Sequence, residues 1–148
     1  MTERHILTTL ILPLAITLGL LLQAAYASPW GPYQATYVNN HDGDTVTLSI
    51  ELYDDLFMVE PVRMQGIDAP ELTASSPCEK ELAKQSKQAL QDLLNGQFIR
   101  ATLTKRGIYA RPGATLTVGD MDVGQAMVDA GYARPSGGRR SDEPWCED

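Results

Sequence analysis

The sequence predicts a mainly β domain of the α+β class, a small closed Greek-key barrel of five strands with two or so helices. Three observations predict it. The turn-punctuated order runs strands, helix, strands, helix. The strands are short, and one helix falls between the third and the fourth. One segment, Thr45–Leu52, alternates strictly, with Val46, Leu48, Ile50 and Leu52 on one face.

Each element has its own reason. Gln34–Val38 is a short, partly β-branched strand. His41-Asp42-Gly43-Asp44 follows, and Asp-Gly is a hairpin signal. After Thr45–Leu52, Asp54-Asp55 turns the chain. Phe57–Val59 and Val62–Ile67 form the next strand region, interrupted by Pro61. Asp68-Ala69-Pro70-Glu71 leaves it as a loop, because proline cannot continue a ladder. Ser76-Pro77-Cys78-Glu79 is a capping box with proline at the first helical position. The helix shows Leu82, Ala89, Leu90, Leu93 and Leu94 at helical spacing, and Asn95-Gly96 ends it. Phe98–Thr104 alternates as a strand, Lys105-Arg106-Gly107 turns, and Ala114–Val118 is another strand. Asp122 caps a short helix through Val123, Ala126, Met127 and Ala130, with Gly131 as its stop. The tail Ser136–Asp148 has no periodicity and is loose unless Trp145 and Cys146 pin it. Five strands with this helix placement suit a barrel of the OB type; an open α+β sandwich is the alternative.

The chain has 148 residues, 12 Lys+Arg against 19 Asp+Glu, and a formal charge of −7. That length is one domain. Hydrophobic and charged fractions of 43% and 21% argue against wholesale disorder. The acidic balance argues against a broad basic face for nucleic acid, but not against a local basic site or a bound cation. An apolar run from Ile6 to Leu22, followed by Ala25-Tyr26-Ala27, predicts a signal peptide over residues 1–27, cleaved after Ala27. An uncleaved membrane anchor is the alternative. The leader holds Glu3 and Arg4, so the mature chain Ser28–Asp148 keeps the charge of −7. The expected location is secreted or periplasmic. In an oxidising compartment, Cys78 and Cys146 are expected to form a disulfide that ties the tail (136–148) to the domain (28–135). Two unrelated buried thiols are the alternative. A zinc site is disfavoured, since His41 is the only histidine beyond the leader and no CxxC exists.

Four carboxylates lie in two tight groups at strand-to-loop junctions: Asp42 with Asp44, and Asp68 with Glu71. If the strands pair, the groups meet at one sheet end, and acids that converge need a cation. Hard oxygen ligands in loops suit Ca²⁺. Taken alone, Asp42-Gly43-Asp44 reads first as a hairpin turn with solvated acids. Arg63 precedes Asp68 by five residues, and a turn at Gly66 can re-aim the loop toward it. An arginine beside acids is either a structural ion pair or a fork for phosphate. Arg111 has the same two readings.

Taken together, Asp42-Gly43-Asp44-Thr45-Val46, Arg63-x-x-Gly66-Ile67-Asp68-Ala69-Pro70-Glu71, Tyr109-Ala110-Arg111 and Val123 through Gly131-Tyr132-Ala133 closely resemble the thermonuclease (staphylococcal-nuclease-like) family, in order and spacing. The resemblance covers about residues 35–135 and implies an OB barrel. It implies Asp44 and Asp68 as side-chain Ca²⁺ ligands, Ala69 as a backbone-carbonyl ligand, and Asp42 as an acid reaching the ion through water. It implies Arg63, Glu71 and Arg111 as the catalytic set, with Tyr109 contacting phosphate. The implied activity is Ca²⁺-dependent endonucleolytic hydrolysis of DNA or RNA to 3′-phosphates. The expected protein is a monomer with a nucleic acid substrate and no stable membrane association after cleavage. A nuclease-like module that binds nucleic acid or protein without cutting is the alternative. The sequence departs from the family at Ile108 and Ala110, and has no counterpart to the family's C-terminal helix or its base-stacking tyrosines. Lys105, Arg106, Arg134, Arg139 and Arg140 are candidates for a partial basic rim.

Overall fold

The structure, a computed structural model, describes residues 31–106, 111–137 and 143–146. The expected leader lies outside the described residues. Strands β1 (Tyr33–Asn40), β2 (Thr45–Tyr53) and β3 (Leu56–Met64) come first, then a two-residue β4 (Ile67–Asp68). Helix α1 (Pro77–Leu94) follows, then β5 (Ile99–Arg106), β6 (Pro112–Val118) and β7 (Met121–Asp122). Helix α2 (Val123–Asp129) and β8 (Arg134–Pro135) complete the order.

Five strands close into a barrel in the order β3-β2-β1-β5-β6. Neighbours in that order are antiparallel, and a parallel pairing of β3 with β6 shuts the ring. Closure leaves fewer open sheet edges. The interior is what the alternation of β2 predicts: Val46, Leu48 and Ile50 are fully buried. Val62 and Met64 of β3, Ile99 and Ala101 of β5, and Ala114 and Leu116 of β6 face them. Leu90 and Leu94 of α1 and Val123 and Met127 of α2 cap this core. This is the closed OB-type barrel, not the open sandwich.

Local chemistry explains the helix ends. The Ser76 side chain accepts the Glu79 N–H (3.4 Å), and Gly96 takes the left-handed conformation after α1 (φ 72°). The Asp122 carboxylate accepts the Gln125 N–H (2.9 Å) to start α2. The α1 pattern shifts slightly from the prediction. Ala83, Ser86, Leu90 and Leu94 are the buried positions, while Leu82, Ala89 and Leu93 lie at its margins.

Two expectations are corrected. Pro61 does not interrupt β3, which runs unbroken through it opposite Thr47 of β2. The β6 pairing begins only at Arg63, so the missing N–H falls where the other flank of β3 has no ladder partner. The segment after Gly66 is also not purely loop. Ile67 and Asp68 pair with Pro135 and Arg134, and the Ser136 N–H donates to the Gly66 carbonyl (2.7 Å).

Cys78, in the first turn of α1, is disulfide-bonded to Cys146. The Arg134 guanidinium donates to the carbonyls of Glu143 (3.0 Å) and Pro144 (2.8 Å), and lies 3.9 Å from the Trp145 ring centre. Residues 143–146 therefore form a strap across α1 and β8. Arg134 serves this strap. Among the described residues, no helix is long and apolar enough to cross a membrane.

Candidate active site

The barrel's topology gathers the chemistry at one rim. Arg63, near the end of β3, sits opposite Thr45 at the start of β2 and opposite Gly113 at the start of β6. The acids Asp42 and Asp44 therefore enter from one side and Arg111, just before β6, from the other. Gly66 adopts φ 79°, open to glycine at little cost, and turns the chain so that Asp68 returns to Arg63.

Arg63 spans two buried carboxylates. Its Nη1 donates to Asp44 Oδ1 (2.7 Å) and its Nη2 to Asp68 Oδ1 (3.1 Å). Asp44 and Asp68 are 2% and 0% exposed. The Thr45 hydroxyl donates to Asp44 Oδ1 (3.0 Å), and the Ala69 N–H donates to Asp44 Oδ2 (3.1 Å). Asp42 folds its carboxylate over the start of β2, where its Oδ1 accepts the N–H groups of Asp44 (3.1 Å) and Thr45 (2.8 Å). Glu71 is half-buried in the loop after Pro70. Its N–H donates to Glu79 Oε1 of α1 (3.2 Å), so helix and loop are tied at this residue. Arg111 is half-buried; Tyr109 lies outside the described residues.

The electrostatics at Asp44 are unbalanced. Burial first, and the neighbouring Asp42 charge second, push its carboxyl up from 3.8 to about 7. Arg63, Thr45 and the Ala69 N–H pull the other way without prevailing. The ion pair is short, yet the guanidinium is a third exposed and divided between two acids, so it neutralises neither fully. The donor set consists of carboxylate and backbone oxygens, the kind that holds a hard divalent cation. Asp44's deficit of positive charge fits such an ion. Among the described residues no group of three or more His, Cys, Asp or Glu side chains is gathered to hold one. Backbone and water oxygens would have to complete the coordination.

Several supports carried no motif. Asn40 is buried at the end of β1. Its Nδ2 donates to the carbonyls of Asp42 (2.8 Å) and Lys87 (2.8 Å), which fixes the acidic loop to α1. Gly43 packs against the Ser86 side chain, and a Cβ there would collide with it. This glycine serves close approach rather than a positive φ. Ser86 in turn donates to the Tyr132 carbonyl (2.7 Å). A polar residue on the buried stripe of α1 was the one available signal.

A closed OB-type barrel with two helices is consistent with the class of nuclease-like barrels. The family model described as Staphylococcal nuclease homologue matches residues 61–143, more than half of the chain. The chain belongs to this family, and its kind of function is that of the nucleases. The match includes Arg63, Asp68, Glu71 and Arg111, while Asp42 and Asp44 precede it. No curated protein matches the chain.

Proposed function

We propose that the protein is an exported, Ca²⁺-dependent endonuclease that hydrolyses phosphodiester bonds of DNA or RNA to 3′-phosphate products. The observation that carries this reading is Arg63, held across buried Asp44 and Asp68 and paired in the sheet opposite Gly113, two residues after Arg111. Family membership supports the nuclease class. The disulfide is compatible with an oxidising compartment, and the leader-like segment 1–27 supports export.

Asp44 and Asp68 would hold the ion with the Ala69 carbonyl, and Asp42 would reach it through water. Bound there, Ca²⁺ would supply positive charge to the phosphoryl oxygens of the substrate. The residues do the rest. The Arg63 fork would bind a phosphate oxygen pair. Arg111 adds a second fork, and the paired N–H donors match two phosphate oxygens at once. Both stabilise the charge that grows during in-line attack. Glu71 takes the proton from the attacking water as the water oxygen bonds to phosphorus, help from the base worth about 10²–10⁴-fold. The P–O5′ bond breaks, and the departing 5′-oxygen takes a proton from water to leave a 5′-hydroxyl. Tyr109 adds a phosphate contact.

The test is an assay of the mature protein on DNA with and without calcium. Cleavage with millimolar Ca²⁺ that stops with chelator is expected. Glu71→Gln is expected to lower turnover about 10²–10⁴-fold with an unchanged circular dichroism spectrum. Wild type that binds DNA but leaves it uncut at millimolar Ca²⁺ would overturn the enzyme reading in favour of a binding module.

A further inference from the structure

The strap is joined to the loop that bears Asp68 and Glu71 by two routes, and a cleft lies between them. Through β8, the backbone of Arg134 pairs with Asp68, while the Arg134 side chain grips the Glu143 and Pro144 carbonyls and the Trp145 ring. Through α1, Cys146 is bonded to Cys78, one residue before Glu79, whose carboxylate accepts the Glu71 N–H. Between strap and loop, Trp145 and Pro70 line one cleft of about 230 Å³, with Leu82 and Tyr132. Pro70 is the residue between Ala69 and Glu71.

We infer that residues 143–146 are a positioning element for the site, with Arg134 as its key: the strap holds the Asp68–Glu71 loop in register. The physical case is one of constraint. A two-residue ladder such as β4–β8 is too short to hold itself. Beyond the Ser136 N–H bond to Gly66, its support comes from what holds Arg134 from outside, two carbonyls and an aromatic face on a strap bonded covalently to α1. Releasing the clamp leaves the barrel core untouched, because none of the core residues belongs to the strap. It frees the loop on the side away from Arg63. Supports of this kind around metal-binding residues typically change affinity or activity about 10–100-fold.

The inference rests on the nuclease reading for its calcium and activity arms, and not for its exchange arm. The first readout is amide hydrogen exchange in wild type, Arg134→Ala, Arg134→Lys and Cys146→Ser. The Ala69 and Glu71 amides report the loop, and the amides of Leu48 and Ile50 report the barrel. In Arg134→Ala the two loop amides are expected to exchange at least about tenfold faster while the barrel amides are unchanged. Lys keeps the cation on the ring but loses the two-pronged grip, so Arg134→Lys should fall between. The second readout is Ca²⁺ affinity by calorimetry, expected to weaken about tenfold or more in Arg134→Ala. The third is a split in kinetics on DNA, with kcat reduced and KM near wild type.

Unchanged exchange at Ala69 and Glu71 in folded Arg134→Ala would overturn the inference. So would equal acceleration of loop and barrel, which would mark Arg134 as merely structural. Should Arg134→Ala fail to fold, Arg134→Lys and Cys146→Ser decide by the same comparison. If wild type neither binds calcium nor cuts DNA, the nuclease reading fails, and the exchange experiment still decides the role of the strap.

Discussion

At Asp44, burial and bonding pull in opposite directions. Its raised pKa has a consequence for stability whose sign is fixed. The folded value of about 7 lies above the ordinary 3.8, so the folded state binds the proton more tightly than the unfolded chain. Asp44's contribution is therefore fully present below about pH 4 and is lost as the pH rises toward 7. Without calcium, urea midpoints should fall across that range. Asp44→Asn should flatten the decline, and calcium at neutral pH should restore the midpoint in wild type only. A wild-type midpoint that rises from pH 5 to 7 as steeply as in the variant would refute this. Residue types at this scale were legible because their chemistry is local: Asp42, Asp44, Asp68 and Arg63 sit in short, recognisable blocks. Asn40, Ser86 and Arg134 were not, because their partners are Lys87, Tyr132 and Pro144, which only the fold brings near.

At the scale of elements, the link between β1 and β2 is set by how closely it lies on α1. Gly43→Ala would drive a methyl group into Ser86, and the loop carrying Asp42 and Asp44 would have to shift. A loss of about 1–3 kcal/mol is expected by denaturant titration. Ser86→Ala in the same chain should recover only part of it, since the Ser86 Cβ and Ala69 Cβ also crowd that position. Full recovery in the double variant would show that the hydroxyl alone is responsible. Long periodic elements were read well from the sequence, because β2 repeats its pattern four times and α1 is bounded by a cap and a glycine. β4 and β8 were missed because two residues have no period. The unbroken course of β3 was missed for a different reason: whether Pro61 ends a strand depends on what pairs with its outer flank, which is a property of the closed barrel.

For the whole molecule, the charge of −7 frames how nucleic acid can be held. The two forks assigned to phosphate are Arg63 and Arg111, and Arg134 is withdrawn into the strap. With about 0.9 counterions released per phosphate contact, the logarithm of affinity should fall with the logarithm of salt at a slope near −2. Fluorescence anisotropy with a short duplex and Glu71→Gln checks it. A slope steeper than about −4 would require a broad basic surface instead. The barrel class was legible at this scale because the order of strands and helices suits it, while the strand order and the closure through β3 and β6 were fixed only by the fold. The strap's path was only half legible: two cysteines implied a bond, but not that it would carry Trp145 onto Arg134.

The same bond bears on what a protease can do to the molecule. Asp42, Asp44, Arg63, Asp68 and Glu71 all precede Cys78, and Arg111 lies between the two cysteines. A single cut anywhere between Cys78 and Cys146 therefore yields two peptides that remain one covalent molecule. The acids and the second arginine stay on the same tether, so a nicked copy can still close its rim without having to find a lost fragment in solution.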